Sequence, residues 1–536
     1  MGKKAKVTFH PSYRIGDISP RLYGAFLEPI GSMVNGSMYN PKHPTADDLG
    51  FRRDFIDALK SSGLPAVRLP GGNFVSGWDW KDSIGPRDQR KKHLDLAWFQ
   101  YYTNDVGHDE YLQWAERIGF EPLYTVSVGS SDLNDAIYLA EYTNHEGGTH
   151  WSELRKKNGH EKPYGVKVWY IGNEPDGPWQ IGSWEKDPRG YGIRTHEISK
   201  AMKWASPGIE TVAAVSSSPF GTVYPRWDQE VLEQCYESVD YISLHHYHPA
   251  PLGDMAALVG GSATFAKYID TEIALCDFIQ TKQRSRKQMM ISLDEYGSMM
   301  MPKKEFRYGN GENPNGFVFD LLNPDKKYVL HDPNDWGTMR MRARGGQMLQ
   351  ALTMASTMLT MINRADRVKI GCMTGGLGAL AATDRDHVWE AATRIPYTQL
   401  IQLGRGVALR GSVECDTFDV PGYAIDNFRQ YDTIEGLDYI ETAAALDEDA
   451  GALNVFVINR NWEQDTALEL DVSGFEGYSF VEQVQLYSDD PEAANTYENP
   501  NAIVPTVAAG AVCRNGKVDT TVKKLSWNVF RFKKTV

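Results

Sequence analysis

Through the first two-thirds of the chain, short unbroken runs of apolar and β-branched residues alternate with longer segments whose apolar positions recur every three or four residues. The runs are Leu22–Glu28, Ala66–Pro70, Pro122–Gly129, Val166–Asn173, Thr211–Ser217, Tyr241–Tyr247, Met289–Glu295 and Val368–Met373. Continuous rather than alternating hydrophobicity is the pattern of parallel strands covered on both faces. Between them, helical spacing predicts helices at Ala46–Ser62 after Thr45, Asn104–Ile118 before Gly119, Tyr191–Ala205 before Ser206-Pro207, Thr264–Gln283 and Met339–Asn363. Eight strand–helix units predict an α/β fold, a (β/α)8 TIM barrel, over residues 18–400.

One segment breaks the rhythm. Met299–Asp335 is rich in Gly, Asn, Pro and Asp and follows the seventh run directly, so a lid or subsite loop at the barrel mouth is expected. From about Arg405 the period changes to two. Leu453–Asn459, Ala467–Val472, Val481–Tyr487, Val518–Val522 and Trp527–Phe532 read as strands of an antiparallel, jelly-roll-like β-sandwich over residues 401–536. Ala5–His10 alternates too, and the segment 1–17 is expected to pack on that sandwich.

Composition narrows the function. A chain of 536 residues exceeds one ordinary core, which agrees with two domains. A formal net charge of −14 argues against nucleic acid or an anionic membrane surface as partner. Residues 1–10 carry three lysines but no apolar stretch of signal-peptide type, and no run approaches a membrane span. The five cysteines are scattered and never spaced Cys-x-x-Cys, so neither a disulfide framework nor a zinc knot is expected, and a reduced, cytoplasmic setting follows. Fourteen tryptophans and 27 tyrosines serve packing first, and some can also stack on sugar rings.

Two runs end on an acid: Glu174 on the fourth and Glu295 on the seventh, 295 − 174 = 121 residues apart. A carboxylate at the tip of a buried strand costs desolvation. In a barrel it stands at the face where active sites form. Strands four and seven lie across that mouth from each other, so both acids can face one pocket, as glycoside hydrolysis requires. Asn173 precedes the first acid, and its amide can reach a sugar hydroxyl. Alternation along Tyr241–Tyr247 puts His245 and Tyr247 on one face and His246 and His248 on the other, so no three-histidine metal cluster is expected.

Gly172-Asn-Glu-Pro-Asp-Gly-Pro-Trp-Gln-Ile-Gly182 resembles the acid/base motif of glycoside hydrolase family 51, the α-L-arabinofuranosidases. Also similar to that family are Tyr23-Gly-Ala-Phe-Leu-Glu28, Arg68-Leu-Pro-Gly-Gly-Asn-Phe-Val-Ser-Gly-Trp-Asp-Trp80, Tyr241-Ile-Ser-Leu-His-His-Tyr247, Asp294-Glu295 and Ala365-Asp-Arg-Val-Lys369, in the family's order. Asn454-Val-Phe-Val-Ile-Asn-Arg460 extends the likeness into the C-terminal part. The resemblance implies a retaining, exo-acting hydrolase of arabinofuranosyl ends, with Glu174 as acid/base and Glu295 as nucleophile. It implies Glu28, Asn73 and Asn173 on sugar hydroxyls, Tyr247 orienting Glu295, and His245 lining the pocket. Trp179 and Trp78 are candidate walls. No cofactor or metal is implied, the substrate is an oligosaccharide, and a homo-oligomer is expected.

The chain departs from the family's pattern at Pro29, at Tyr296-Gly297 after the nucleophile, and at Gly375–Gly378, where side chains usually face the sugar. A related glycosidase with another sugar preference, or an endo-glucanase or xylanase, therefore stays open. A sugar-binding protein on the same scaffold is the non-enzymatic alternative, and two retained acids speak against it.

Overall fold

The computed structural model describes residues 3–221, 223–301, 328, 330, 346–425 and 429–535. Eight strands close a barrel in the order Met290–Met301, Val368–Met373, Gly24–Phe26, Ala66–Leu69, Glu121–Val126, Val168–Ile171, Glu210–Ala214, Tyr241–Pro251, and every neighbouring pair is parallel. Ala66–Leu69 and Val168–Ile171 are buried at every position, which is why their sequences are unbroken apolar runs.

The element ends differ from the sequence expectation. The first strand begins at Gly24, because Pro20–Tyr23 forms a 3-10 turn capped by the Ser19 side chain. Strands three to five stop two or three residues before the predicted ends, and Gly172 turns the chain out of the fourth at φ 90°. Strands six and seven instead run on together, pairing out to Met301 opposite Pro251. Met299–Met301 is therefore strand, not loop, and residues 302–327, 329 and 331–335 of the expected lid lie outside the described residues.

Helix starts shift for local reasons. Arg53–Ser62 begins seven residues after the predicted Ala46, because Asp47 Oδ1 accepts from the N–H groups of Leu49 and Phe51 and holds that stretch as a turn. His108–Ile118 begins after Asn104, whose φ is 58°, and after the cap at Gly107. Pro188–Ala205 begins three residues early, because Asp187 caps it and Pro188 suits a first turn. Gly261–Gln283 also starts early, and Met348–Ile362 represents the predicted Met339–Asn363, whose residues 339–345 lie outside the described residues. Helices Leu133–Asn144, His150–Lys157, Arg226–Cys235 and Arg394–Leu403 were not anticipated.

Apart from two small two-stranded sheets within residues 417–438, the C-terminal part is built on one curled ten-stranded sheet. The N-terminal Lys3–Asp17 sits inside it, antiparallel to Val407–Glu414 and parallel to Thr466–Asp471, and the other pairings are antiparallel. Val7, Phe9, Val455, Leu468, Val518 and Phe530 share its apolar interior. The sheet docks on the last barrel helices through Trp527 Nε1 donating to Gln399 Oε1 at 2.6 Å, and Asn363 Nδ2 donating to the Thr442 carbonyl at 2.9 Å.

Candidate active site

The site is built where the strand C-termini meet. Along the seventh strand, Ser292 and Asp294 face the barrel interior: Ser292 Oγ lies 2.8 Å from Tyr170 Oη, and Asp294 Oδ2 accepts from Ser243 Oγ at 2.9 Å. Strict alternation would turn Glu295 outward. A bulge between Leu293 and Glu295 brings it back, so that Glu295 stands opposite His245. Bulges re-aim side chains in this way. Glu174 lies three residues past Ile171, on the loop rather than the strand, at φ 44°. A left-handed conformation costs a non-glycine residue about 1–2 kcal/mol. Gly71 and Gly72 supply the room: a Cβ on Gly71 would meet Glu28 Cγ at 2.9 Å, and one on Gly72 would meet Glu295 Oε1 at 3.0 Å and Glu28 Oε1 at 3.2 Å.

Carboxyl oxygens of Glu174 and Glu295 and a ring nitrogen of His245 all lie within 4.8 Å of one another. The separation suits the ~5–5.5 Å of a retaining carboxyl pair and falls short of the ~6.5–9.5 Å of an inverting one. Each acid has its own partners. Glu295 Oε1 accepts from Arg68 Nη1 at 2.7 Å, and Oε2 from Tyr247 Oη at 2.8 Å. Glu174 Oε2 accepts from Trp179 Nε1 at 2.6 Å, and Oε1 lies 2.9 Å from His245 Nδ1. The same His245 nitrogen is 3.7 Å from Glu295 Oε2, while Nε2 is 3.2 Å from Asp294 Oδ2. The imidazole thus bridges three carboxyls.

The remaining candidates fall into two groups. Asn173 Oδ1 accepts from Arg68 Nη2 at 2.7 Å, and its Nδ2 donates to Asn73 Oδ1 at 3.0 Å. Glu28 Oε1 accepts from the Phe74 N–H at 2.8 Å and, with Glu295, flanks Gly72. Glu28, Asn73, Asn173, His245, Tyr247 and Trp179 thus gather round the dyad. Trp78 does not join them. Its Nε1 donates to Asn104 Oδ1 at 3.0 Å, and its ring packs on Phe74 and Tyr111. His246 and His248 point away, to Thr264 and the Ala257 carbonyl. Tyr328 lies against Phe99 and Tyr101, ring centroids 5.8 and 6.0 Å apart, beside the hairpin that follows the second strand.

Sequence reasoning passed over three residues. Arg68 is fully buried, between the rings of Phe26 and Tyr170, with Nε 3.0 Å from Asp294 Oδ2. An arginine inside an apolar strand run was the signal for it. Asp294 stands next to the acid in a motif already noted. Gln180 links Ser76, Asn73 and Glu174 through its amide, and its polar character beside Trp179 gave no distinguishing sign.

The electrostatics follow from burial and from this charge cluster. Burial alone would lower the His245 ring, but Glu295, Asp294 and Glu174 outweigh it and hold it up to about 10, so the ring is an imidazolium at neutral pH. Burial pushes the Glu295 carboxyl up; His245 and Arg68 pull it back, and Glu174 adds to the rise. Glu28 is pushed up to about 8, first by burial and then by the charge of Glu295. Glu174, His245 and Glu295 are close enough to hold a cation, but the imidazolium and the Arg68 guanidinium already supply the positive charge there.

Two carboxyl groups at this spacing, on the C-terminal mouth of a (β/α)8 barrel, define a glycoside hydrolase. Comparison with known proteins narrows the class. Residues 57–270 match the model of the alpha-L-arabinofuranosidase 1 domain, and residues 294–526 that of the alpha-L-arabinofuranosidase C-terminal domain. The chain is 34% identical to the intracellular exo-alpha-(1->5)-L-arabinofuranosidase 1 of Bacillus subtilis, over 99% of each chain. It is 31% identical to the exo-alpha-(1->6)-L-arabinofuranosidase of Bifidobacterium longum, over 99% of this chain and 98% of the relative. A solved family 51 alpha-L-arabinofuranosidase from Bifidobacterium longum superposes with a TM-score of 0.84 at 28% identity, over 99% of this chain and 100% of the other. The chain belongs to the α-L-arabinofuranosidases of glycoside hydrolase family 51.

Proposed function

We propose that the protein is a retaining, exo-acting α-L-arabinofuranosidase that releases terminal arabinofuranosyl units from short oligosaccharides through a covalent glycosyl-enzyme. The observation that carries the reading is the pair Glu174 and Glu295, within 4.8 Å of each other and each with its own donors. Glu295 attacks the anomeric carbon as the bond to the leaving oxygen breaks, and Glu174 gives that oxygen its proton. Glu174, now a carboxylate, takes a proton from water as the water attacks the same carbon and breaks the ester to Glu295. While Glu295 is esterified its charge is gone, and the charge of the Glu174 carboxylate is no longer opposed. Arg68 and His245 hold compensating positive charge before reaction begins, so little reorganisation is needed. Glu28, Asn73 and Asn173 hold sugar hydroxyls, and Trp179 keeps Glu174 aimed.

Exo action is supported by enclosure. Glu174 and Glu295 are only 9% and 6% exposed, whereas an endo-enzyme needs its acids along an open cleft. A binding protein would have no use for donors dedicated to two acids. Among the described residues no helix is long and apolar enough to cross a membrane. A relative named intracellular supports work on imported oligosaccharides in the cytoplasm. Family resemblance supports a homo-oligomer, which analytical ultracentrifugation tests.

A second reading, altered sugar preference, is favoured by a glycine within strand seven, Gly297, and one just past strand eight, Gly375. A Cβ on Gly375 would meet nothing within 4 Å, and one on Gly297 only Tyr247 Cδ1 at 3.9 Å, among the described residues. Missing polar partners weaken discrimination against sugars that lack the matching hydroxyl. A panel of aryl glycosides, arabino-oligosaccharides and branched arabinoxylan separates the readings. The expected order is aryl α-L-arabinofuranoside and short oligosaccharides well ahead of polymer. Release from polymer at the aryl rate would refute the preference for short substrates, and a faster rate on a different aryl sugar would favour the second reading.

A further inference from the structure

Beside Glu295 a second hydroxyl stands in line. The eighth strand, Val368–Met373, is followed by Thr374, whose N–H donates to the Tyr296 carbonyl at 3.1 Å. Gly375 at φ 75° then turns the chain away. Thr374 is thus tied to the strand of Glu295, one residue beyond it. Its Oγ1 lies 2.8 Å from Tyr247 Oη, which lies 2.8 Å from Glu295 Oε2.

Counting hydrogens sets the direction. An ionised Glu295 only accepts, and Tyr247 has one hydrogen to give. With that hydrogen on Glu295, the second contact needs a hydrogen from Thr374. We infer that Thr374 is a positioning residue for the nucleophile: its hydroxyl donates to Tyr247 and so commits the Tyr247 hydrogen to Glu295 Oε2. The inference rests on Glu295 being the nucleophile.

The other groups facing Glu295 do not need such help. Arg68 from the second strand is fixed on Oε1 by a charge that does not titrate, and His245 from the sixth is held by Glu174 and Asp294. Glu28, just past the first strand, and Glu174, past the fourth, act on Glu295 through charge, each repelling it when ionised. Tyr247 alone has a single hydrogen with two acceptors in reach. Donation into its oxygen polarises the hydroxyl and strengthens the bond it makes onward. That bond matters most while Glu295 carries charge, which is when it attacks and again when it leaves.

The test is steady-state kinetics on an aryl α-L-arabinofuranoside, or on the best substrate of the panel, with Thr374→Val, Thr374→Ser, Tyr247→Phe and the double variant Tyr247→Phe/Thr374→Val. Loss of one neutral hydrogen bond predicts that Thr374→Val lowers kcat about 3- to 10-fold with KM within about twofold. It also moves the acidic limb of the kcat/KM profile to higher pH, because Glu295 loses part of what favours its charged form. Thr374→Ser stays near wild type. In the Tyr247→Phe background Thr374→Val changes nothing further. The inference is overturned by an unchanged Thr374→Val, by an equal loss in the Tyr247→Phe background, by an effect on KM alone, or by Thr374→Ser falling as far as Thr374→Val. Glu295→Ala in parallel keeps the two readings apart. An active Glu295→Ala removes the nucleophile assignment, whereas an inactive one beside an unaffected Thr374→Val removes this inference alone.

Discussion

Replacing His245 by glutamine keeps a hydrogen-bond donor among the three carboxyls but deletes the charge. The wild-type ring is raised from 6.5 to about 10 by Glu295, Asp294 and Glu174 against the opposing effect of burial. Its stabilisation is therefore fully present below about pH 6.5 and is lost as pH rises through about 10. At about 1.4 kcal/mol per pH unit, the rise is worth on the order of 5 kcal/mol near and below pH 6.5. The ring is almost wholly buried, so solvent screens little of it. The assay is urea unfolding of wild type and His245→Gln at about pH 6.5, 8.5 and 10.5. The variant should be several kcal/mol less stable at the lowest pH, and the gap should shrink steadily to near zero at the highest. Titrating groups remote from His245 are common to both proteins and cancel in the difference, whereas its carboxyl neighbours are part of the effect measured. A gap that stays constant from about pH 6.5 to 10.5 would refute the claim that His245 is an imidazolium held by the site.

Other expectations concern the acid and the buried charges. Glu174→Ala should lose about 10²–10⁴-fold on substrates with poor leaving groups and far less on activated aryl glycosides; equal losses on both would reject Glu174 as the acid. Glu272 and Asp228 face each other in the interior behind the barrel; burial, then mutual repulsion, holds Glu272 well above its ordinary value, and burial pushes Asp228 up to about 7. A raised carboxyl costs stability increasingly as pH climbs above its unfolded value, so Glu272→Gln should gain little at about pH 4.5 and on the order of 1–3 kcal/mol at about pH 8. Thermal unfolding at both values checks this, and an equal difference at both would contradict it.

Most of the barrel was legible because parallel strands buried on both faces leave an apolar trace that helices do not share. Ala66–Leu69 and Val368–Met373 lie where their runs put them. The two acids were legible because each ends such a run inside a longer motif. Three features were not. The bulge at Asp294 depends on pairing with strands on either side and leaves no local mark, yet without it Glu295 would face away from the pocket. The extension of strands six and seven to Pro251 and Met301 is a property of the pair, invisible in either segment alone. Arg68 reads as an interruption of a strand until Asn173, Asp294 and Glu295 are placed round it. Alternation did sort the histidines, since burial lowers His246 and His248, with His248 adding to the fall at His246, while His245 is raised among carboxyls.

The central claim is that Glu295 forms a covalent bond to the sugar while Glu174 moves the proton. Glu295→Ala, assayed on an activated aryl α-L-arabinofuranoside with and without sodium azide, tests it most directly, with the product's anomeric configuration read by proton NMR. The account predicts almost no turnover without azide, partial recovery with it, and a glycosyl azide of inverted configuration, while wild type gives retained product. Turnover of Glu295→Ala at the wild-type rate, or an inverted product from wild type, would contradict it.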